Sequence, residues 1–248
     1  MRQQKPTFRD FLGMRATQSM WATKHLSYRL GAAIALAASR LGLSPNMLSL
    51  ASAAITFLSC VLAVYLEQGT WLAGIVVILG LQIGYAFDCA DGPLARVIGR
   101  ESSFGSLLDK VCDLSSGMVF PCVLAYGAGH YYYKGVVEPE MDYTLRVLLI
   151  VVISRAVLSV LLWFKEMLLH QGKRLKEHSR EKNLWWRIKR GIGLAIDEPV
   201  YRLGIGVAWA LSWFWEFVII YTIGIFFITI VYLVTSKREM DIADKQAG

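Results

Sequence analysis

Residues Trp71–Asp113 read WLAGIVVILGLQIGYAFDCADGPLARVIGRESSFGSLLDKVCD, and this stretch decides the fold. It opens as an apolar run long enough for a helix to cross a bilayer core, which takes about 20 residues. The run then admits two carboxylates, Asp88 and Asp91, and breaks between Val97 and Phe104, around Arg100. A second apolar run follows, carrying Asp109 and Asp113. Ionisable side chains at membrane depth are costly and mark functional sites. Asp88 and Asp91 are three apart and Asp109 and Asp113 four apart, so each pair shares a helix face. The short break makes the two helices antiparallel neighbours whose acidic faces can converge just inside one membrane boundary.

Working outward, the rest of the chain has the same character. Of 248 residues, 55% are hydrophobic and only 18% charged, against about a quarter charged in a soluble domain. The expected fold is an all-α integral membrane protein with six transmembrane helices, near Pro45–Leu66, Trp71–Val97, Phe104–Tyr131, Tyr143–Leu169, Pro199–Trp213 and Phe217–Val234. Ahead of them, Leu26–Leu43 mixes small apolar residues with Arg29 and Arg40 and suits an amphipathic helix lying in the interface. The expected organisation is a cytoplasmic arm with that interfacial helix over 1–44, a six-helix catalytic domain over 45–236 and a cytoplasmic tail over 237–248.

Lysine and arginine outnumber the acids by 26 to 19, and they lie between apolar segments rather than on a soluble face. That distribution argues for orientation in the bilayer and against nucleic acid. The basic residues fall in the N-terminal arm, at Arg100 and between Lys173 and Arg190, whereas Glu67, Glu138, Glu140, Asp142 and Glu216 fall in the opposite connections. Both termini and the acidic site are thus expected at the cytoplasmic face. Trp71, Tyr131, Tyr132, Tyr133, Trp213 and Trp215 would form an aromatic belt at the other interface. The polar opening MRQQKPTFRD leads to the expectation of no cleaved signal. Cys60, Cys89, Cys112 and Cys122 lack metal-site spacing and read as buried apolar fillers.

Four neighbouring carboxylates cannot all ionise in a low-dielectric site without a positive partner. All-oxygen ligands suit Mg²⁺ or Mn²⁺, and four acids can hold two such ions, an arrangement that clamps phosphates. The plainer alternative is a set of capping or ion-paired acids. Against it, Arg96 and Lys110 neutralise at most half of the charge. The small residues Gly92, Ala95, Gly99 and Gly105 fit either close helix packing or a slot admitting a nucleotide, and composition leaves both open.

The spacing Asp88-x2-Asp91-Gly92-x2-Ala95-Arg96-x8-Gly105-x3-Asp109-x3-Asp113 resembles the signature of the CDP-alcohol phosphotransferase family at all eight positions. The six-span pattern, the interfacial helix and the Pro45-Asn46 pair opening the first span are also similar to that family. The resemblance implies that Asp88, Asp91 and Asp109 ligate divalent metal, with Asp113 as general base and a further metal contact. It implies a CDP site lined by Asn46, Gly92, Ala95, Arg96 and Gly105, with Arg96 facing the diphosphate. It further implies a homodimer and transfer of a phosphoalcohol group to an acceptor alcohol with release of CMP.

Two donor classes remain. CDP-diacylglycerol would pair with a small polar alcohol, whereas CDP-choline or CDP-ethanolamine would pair with a lipid alcohol. The compact length and Arg155, near the middle of the fourth span, favour the first. Arg155 and Arg202 are candidates for binding an anionic, phosphorylated acceptor, since arginine grips phosphate in a bidentate fork. The plainer readings are that Arg155 pairs with a core carboxylate and that Arg202 snorkels to the interface. A divalent-cation transporter is the contrasting class. It would place acids at several depths, however, and here they gather near one face.

Overall fold

Ser44 and Pro45 start the helix that frames the site. The Ser44 hydroxyl accepts a bond from the Met47 amide at 3.3 Å and proline takes the first turn, where its missing N–H costs nothing. The resulting helix is inverted relative to one in water. Its buried face carries Ser49, Ser52, Thr56 and Ser59 beside Cys60 and Ala63, while Leu50, Phe57, Leu58, Leu62 and Tyr65 face outward. Large apolar side chains outside and small polar ones inside are what lipid, rather than water, stabilises.

The computed structural model describes residues 6–14, 21–66, 69–132, 152–153, 156–157, 160, 197–227 and 230. All elements among them are helical: α1 (Phe8–Gly13), a π-helical turn (Thr23–Ser27) running into α2 (Tyr28–Leu41), α3 (Pro45–Tyr65), α4 (Trp71–Ile98), α5 (Ser103–Tyr132), α6 (Glu198–Ala210) and α7 (Phe214–Phe227). Of these, α3 and α4 are long and apolar enough to cross a membrane. The predicted fourth span is described at scattered positions only, and Arg155, the basic stretch 173–190 and the tail 237–248 lie outside the described residues.

α4 is the central helix, packed by α2, α3 and α6, with α5 against α3. Its approach to α3 depends on Gly80 and Gly84, one turn apart. A Cβ on Gly80 would collide with the Ser59 side chain, and one on Gly84 would strike Thr56 and come within 3.1 Å of the Ser52 carbonyl oxygen. Small residues at this spacing let membrane helices pack by backbone proximity. Gly84→Val is therefore expected to cost at least about 1–3 kcal/mol, the usual range for overpacking. The measurement is the thermal unfolding midpoint of the variant in detergent; an unchanged midpoint would contradict the packing.

α2 meets α4 on its other side. Pro93 has no N–H to offer the Cys89 carbonyl four residues back, and it is against this carbonyl that α2 presents Gly31. A Cβ there would lie 2.9 Å from the Cys89 oxygen. Ala32, Ala35 and Ala38 continue the buried stripe onto Ala90 and Leu94, joined by Phe11 of α1. The helix expected at Leu26–Leu43 is thus present as the π turn plus α2, and it docks on α4 through its small-residue face.

The C-terminal elements depart from expectation in detail. α6 covers 13 residues and ends at Ala210 instead of Trp213. After a three-residue turn, with Ser212 at φ 58°, α7 begins at Phe214 rather than Phe217. Glu216, expected in a connection, therefore lies in the first turn of α7, where the helix dipole favours an acid. Trp215, expected in an interfacial belt, packs against the core formed by Trp209, Phe214 and Val218.

Candidate metal and nucleotide site

The acidic end of the bundle is built by a tight turn. Gly99, at φ 64°, closes α4 in the left-handed conformation that glycine adopts without penalty, and the Arg100 amide bonds back to the Ala95 carbonyl at 2.9 Å. Three residues on, the Ser102 hydroxyl accepts from the Gly105 amide at 2.9 Å and caps α5. The chain thus reverses within four residues and carries the acidic faces of α4 and α5 towards each other.

The carboxylates of Asp88, Asp91 and Asp109 converge there, each offering an oxygen within 4.8 Å of the others. Asp91 is buried, at 7% exposure, and Asp88 and Asp109 are half-buried. Three convergent carboxylate oxygens fit the donor set of a hard divalent cation. Asp113, one turn further along α5, is more exposed and lies outside this trio, with Asp88 as a close like-charge neighbour. The expected set of four is therefore three converging ligand candidates and one adjoining acid.

The expected nucleotide-site residues gather around the same turn. The Asn46 side-chain oxygen would lie 3.2 Å from a Cβ placed on Gly105, so the start of α3 meets the start of α5. The Arg96 guanidinium folds back over Gly92, where a Cβ would lie 3.1 Å from its Nη2. Ala95 is half-buried beside them. Arg202 is buried beside Tyr85, within electrostatic reach of Asp88, and does not snorkel. At 6% exposure, its Nε and Nη2 donate to Glu198 Oε1 at 3.1 and 3.0 Å, and its Nη1 donates to the Leu81 carbonyl at 2.9 Å. Its cation lies 4.9 Å above the Tyr85 ring centre.

Sequence reasoning missed Ser49, whose hydroxyl donates to Asp91 Oδ2 at 2.5 Å inside the bundle. The available signal was its position three residues after Asn46, on the same face of α3. A hydrogen bond to an ionised oxygen fixes which way the carboxylate points. Ser49→Ala is expected to weaken divalent-metal affinity by about 10–100-fold, the usual effect of removing such a support. Titration with Mn²⁺ followed by electron paramagnetic resonance would measure it, and Ser49→Thr should retain most of the affinity.

The described residues form an all-helical bundle with two helices apolar enough to cross a membrane and an acidic, cation-competent centre at a helix turn. The chain belongs to the CDP-alcohol phosphatidyltransferase family, whose model matches residues 42–232. Members of that family are integral membrane proteins that use CDP-linked donors and alcohol acceptors and generally depend on divalent metal. Archaetidylinositol phosphate synthase of Pyrococcus horikoshii is 41% identical over 75 residues, 29% of this chain and 36% of that protein. Phosphatidylinositol phosphate synthase of Corynebacterium glutamicum is 35% identical over 85 residues, 34% and 36% respectively. The enzyme of that name from Mycolicibacterium smegmatis is 33% identical over 99 residues, 40% and 42%. The matched stretches thus span well under half the length of each relative.

Proposed function

We propose that this protein transfers a phosphatidyl-type group from a CDP-activated lipid, with CDP-diacylglycerol the first donor to test, to a phosphorylated polyol, releasing CMP. The observation that carries the reading is the convergence of Asp88, Asp91 and Asp109 at the α4–α5 turn within a chain of this family. The names of the relatives support the acceptor class, because making a phosphatidylinositol phosphate by phosphatidyl transfer requires an inositol already phosphorylated. On this reading the chain crosses the bilayer six times with the acidic end at the cytoplasmic face, and it acts as a homodimer.

Asp88, Asp91 and Asp109 hold Mg²⁺ or Mn²⁺, two ions with Asp113 contributing. The bound ions supply neutralisation of the diphosphate and of the charge that builds on CMP as it leaves. Arg96 reaches the diphosphate across Gly92, and the absence of side chains at Gly92 and Gly105, with only a methyl at Ala95, leaves room for the nucleotide beside Asn46. Asp113, the most accessible of the four acids, accepts the proton of the acceptor hydroxyl. The freed oxygen attacks the phosphorus that bears the lipid alcohol. A new phosphorus–oxygen bond forms, the bond to the CMP phosphate breaks, its electron pair departs with CMP, and the proton remains on Asp113.

The test is CMP release by protein purified in detergent, with CDP-diacylglycerol, Mg²⁺ or Mn²⁺, and a panel of inositol 3-phosphate, glycerol 3-phosphate, serine and free inositol. Release dependent on a phosphorylated acceptor, and absent in Asp113→Asn, is the expected result. Release with serine or free inositol alone would overturn the acceptor class. Activity only with CDP-choline or CDP-ethanolamine and diacylglycerol would reverse the donor assignment. Silence of folded protein across both donor sets would sink the transferase reading.

A further inference from the structure

Asp197 stands at the start of α6, 2% exposed, yet its carboxylate does not cap its own helix. It accepts from the Ala22 amide at 2.6 Å, from the Thr23 amide at 3.2 and 3.3 Å, and from the Thr23 hydroxyl at 2.5 Å. Those amides belong to the first described turn of the helical run that continues through the π turn into α2. An acid 174 residues away thereby holds the backbone of the amphipathic segment where it enters the π turn. Bonds to an ionised acceptor are stronger than neutral ones, and leaving buried donors without one is costly.

The joined segment bears directly on the acidic face of α4. The Thr23 hydroxyl lies 3.3 Å from the Tyr85 hydroxyl, and Tyr85 precedes Asp88 by three residues on the same helix. The Tyr85 ring sits beneath Arg202, which Glu198 at the start of α6 holds in place. One turn earlier, the Gln82 side chain donates to the Pro199 carbonyl at 2.6 Å. Just past Asp88, Gly31 closes on the Cys89 carbonyl. The Gln82–Cys89 section of α4 is therefore gripped by α6 on one side and by the N-terminal segment on the other, and Asp197 is where the two grips meet. Asp91 is held separately, by Ser49 from α3.

We propose that Asp197 is a positioning residue: by clasping the π turn at Ala22–Thr23 it docks the amphipathic segment, and through Thr23 and Tyr85 it sets the position of Asp88 in the acidic centre. The first half rests on geometry alone; the second also rests on the metal reading given above. Small displacements of a ligand's support are enough to change metal affinity, commonly by 10–100-fold.

Two measurements on the full chain in detergent separate the halves. Hydrogen exchange read by mass spectrometry over residues 21–31 reports the clasp, and Mn²⁺ titration followed by paramagnetic resonance reports the centre. Asp197→Asn is expected to speed exchange by about tenfold or more and to weaken Mn²⁺ binding by about tenfold. Thr23→Val should move both in the same direction by less, and Thr23→Ser should restore both, which a general loss of stability would not allow. Tyr85→Phe should weaken Mn²⁺ binding by about fivefold while leaving exchange at the parent rate. Unchanged exchange in Asp197→Asn would overturn the clasp. Faster exchange with parent-like Mn²⁺ binding would overturn the link to Asp88. A parent protein that binds no Mn²⁺ would refute the metal reading and the Asp88 half with it, and exchange alone would then decide the docking.

Discussion

Asp91→Asn is expected to reduce CMP release on the order of a thousandfold and to abolish saturable Mn²⁺ binding, while the protein still folds and elutes as the parent does. Asp91 is the most buried of the three converging acids and accepts from Ser49, so its carboxylate is both oriented and shielded. Asparagine keeps the shape and one oxygen but removes the charge. A hard cation loses much of its attraction to an oxygen that carries no formal charge. Losing a charge-stabilising element of a phosphoryl-transfer centre typically costs two to three orders of magnitude in rate. The fold should persist, because removing one of several crowded like charges relieves repulsion instead of adding it. Steady-state CMP release and Mn²⁺ titration on the same preparation check the result. Activity within tenfold of the parent would mean that Asp91 is not a ligand, and the centre would have to be rebuilt around Asp88, Asp109 and Asp113.

The second large effect is on stability. Glu198→Ala is expected to destabilise the protein by about 3–5 kcal/mol, the usual cost of stranding one member of a buried ion pair. Arg202 is 6% exposed, and two of its nitrogens donate to Glu198, which also accepts from the Tyr201 hydroxyl at 2.7 Å. Removing the glutamate takes away the carboxylate oxygen that Nε and Nη2 share and leaves a buried cation that still meets the Leu81 carbonyl and the Tyr85 ring. At roughly 2–4 °C per kcal/mol for a chain of this size, the unfolding midpoint should fall by about 10 °C. A charge-removing partner change, Arg202→Met with Glu198→Gln, should recover much of the loss, because a pair replaced on both sides leaves no stranded charge. A midpoint unchanged in Glu198→Ala would show that the pair is dispensable. Full loss in the double variant would show that Arg202 contributes through something other than Glu198.

The helices that frame the site were legible in the sequence because lipid imposes simple rules. An apolar run of about 20 residues must satisfy its own backbone hydrogen bonds and therefore forms a helix, and α3 and α4 lie where such runs occur. The α4–α5 turn was equally legible, since the apolar pattern stops after Val97, passes the charged Arg100 and resumes at Phe104; that Gly99 and Ser102 cap the two helices came from the structure. The ends of α6 and α7 were not legible. The residues through the reversal, Ala208–Trp215, are apolar except Ser212, while the charge that marked the expected connection, Glu216, lies inside α7, so hydropathy placed the break past the turn at Leu211–Trp213.

For the site, chain spacing alone put Asp88 and Asp91 on one face and Asp109 and Asp113 on another, because helical periodicity is local. Family membership followed from the same residues, since their order and spacing are properties of the sequence. Tertiary structure decided which of the four converge, that Asp113 stands beside the trio, that Ser49 bonds to Asp91, and that Arg202 pairs with Glu198. It alone joined Asp197 to Ala22 and Thr23 across 174 residues. The physical reason is that a hydrogen bond between distant segments depends on how helices pack. Packing here turns on close approaches at Gly31, Gly80 and Gly84, where the absence of a side chain carries no signal of what will fill the space.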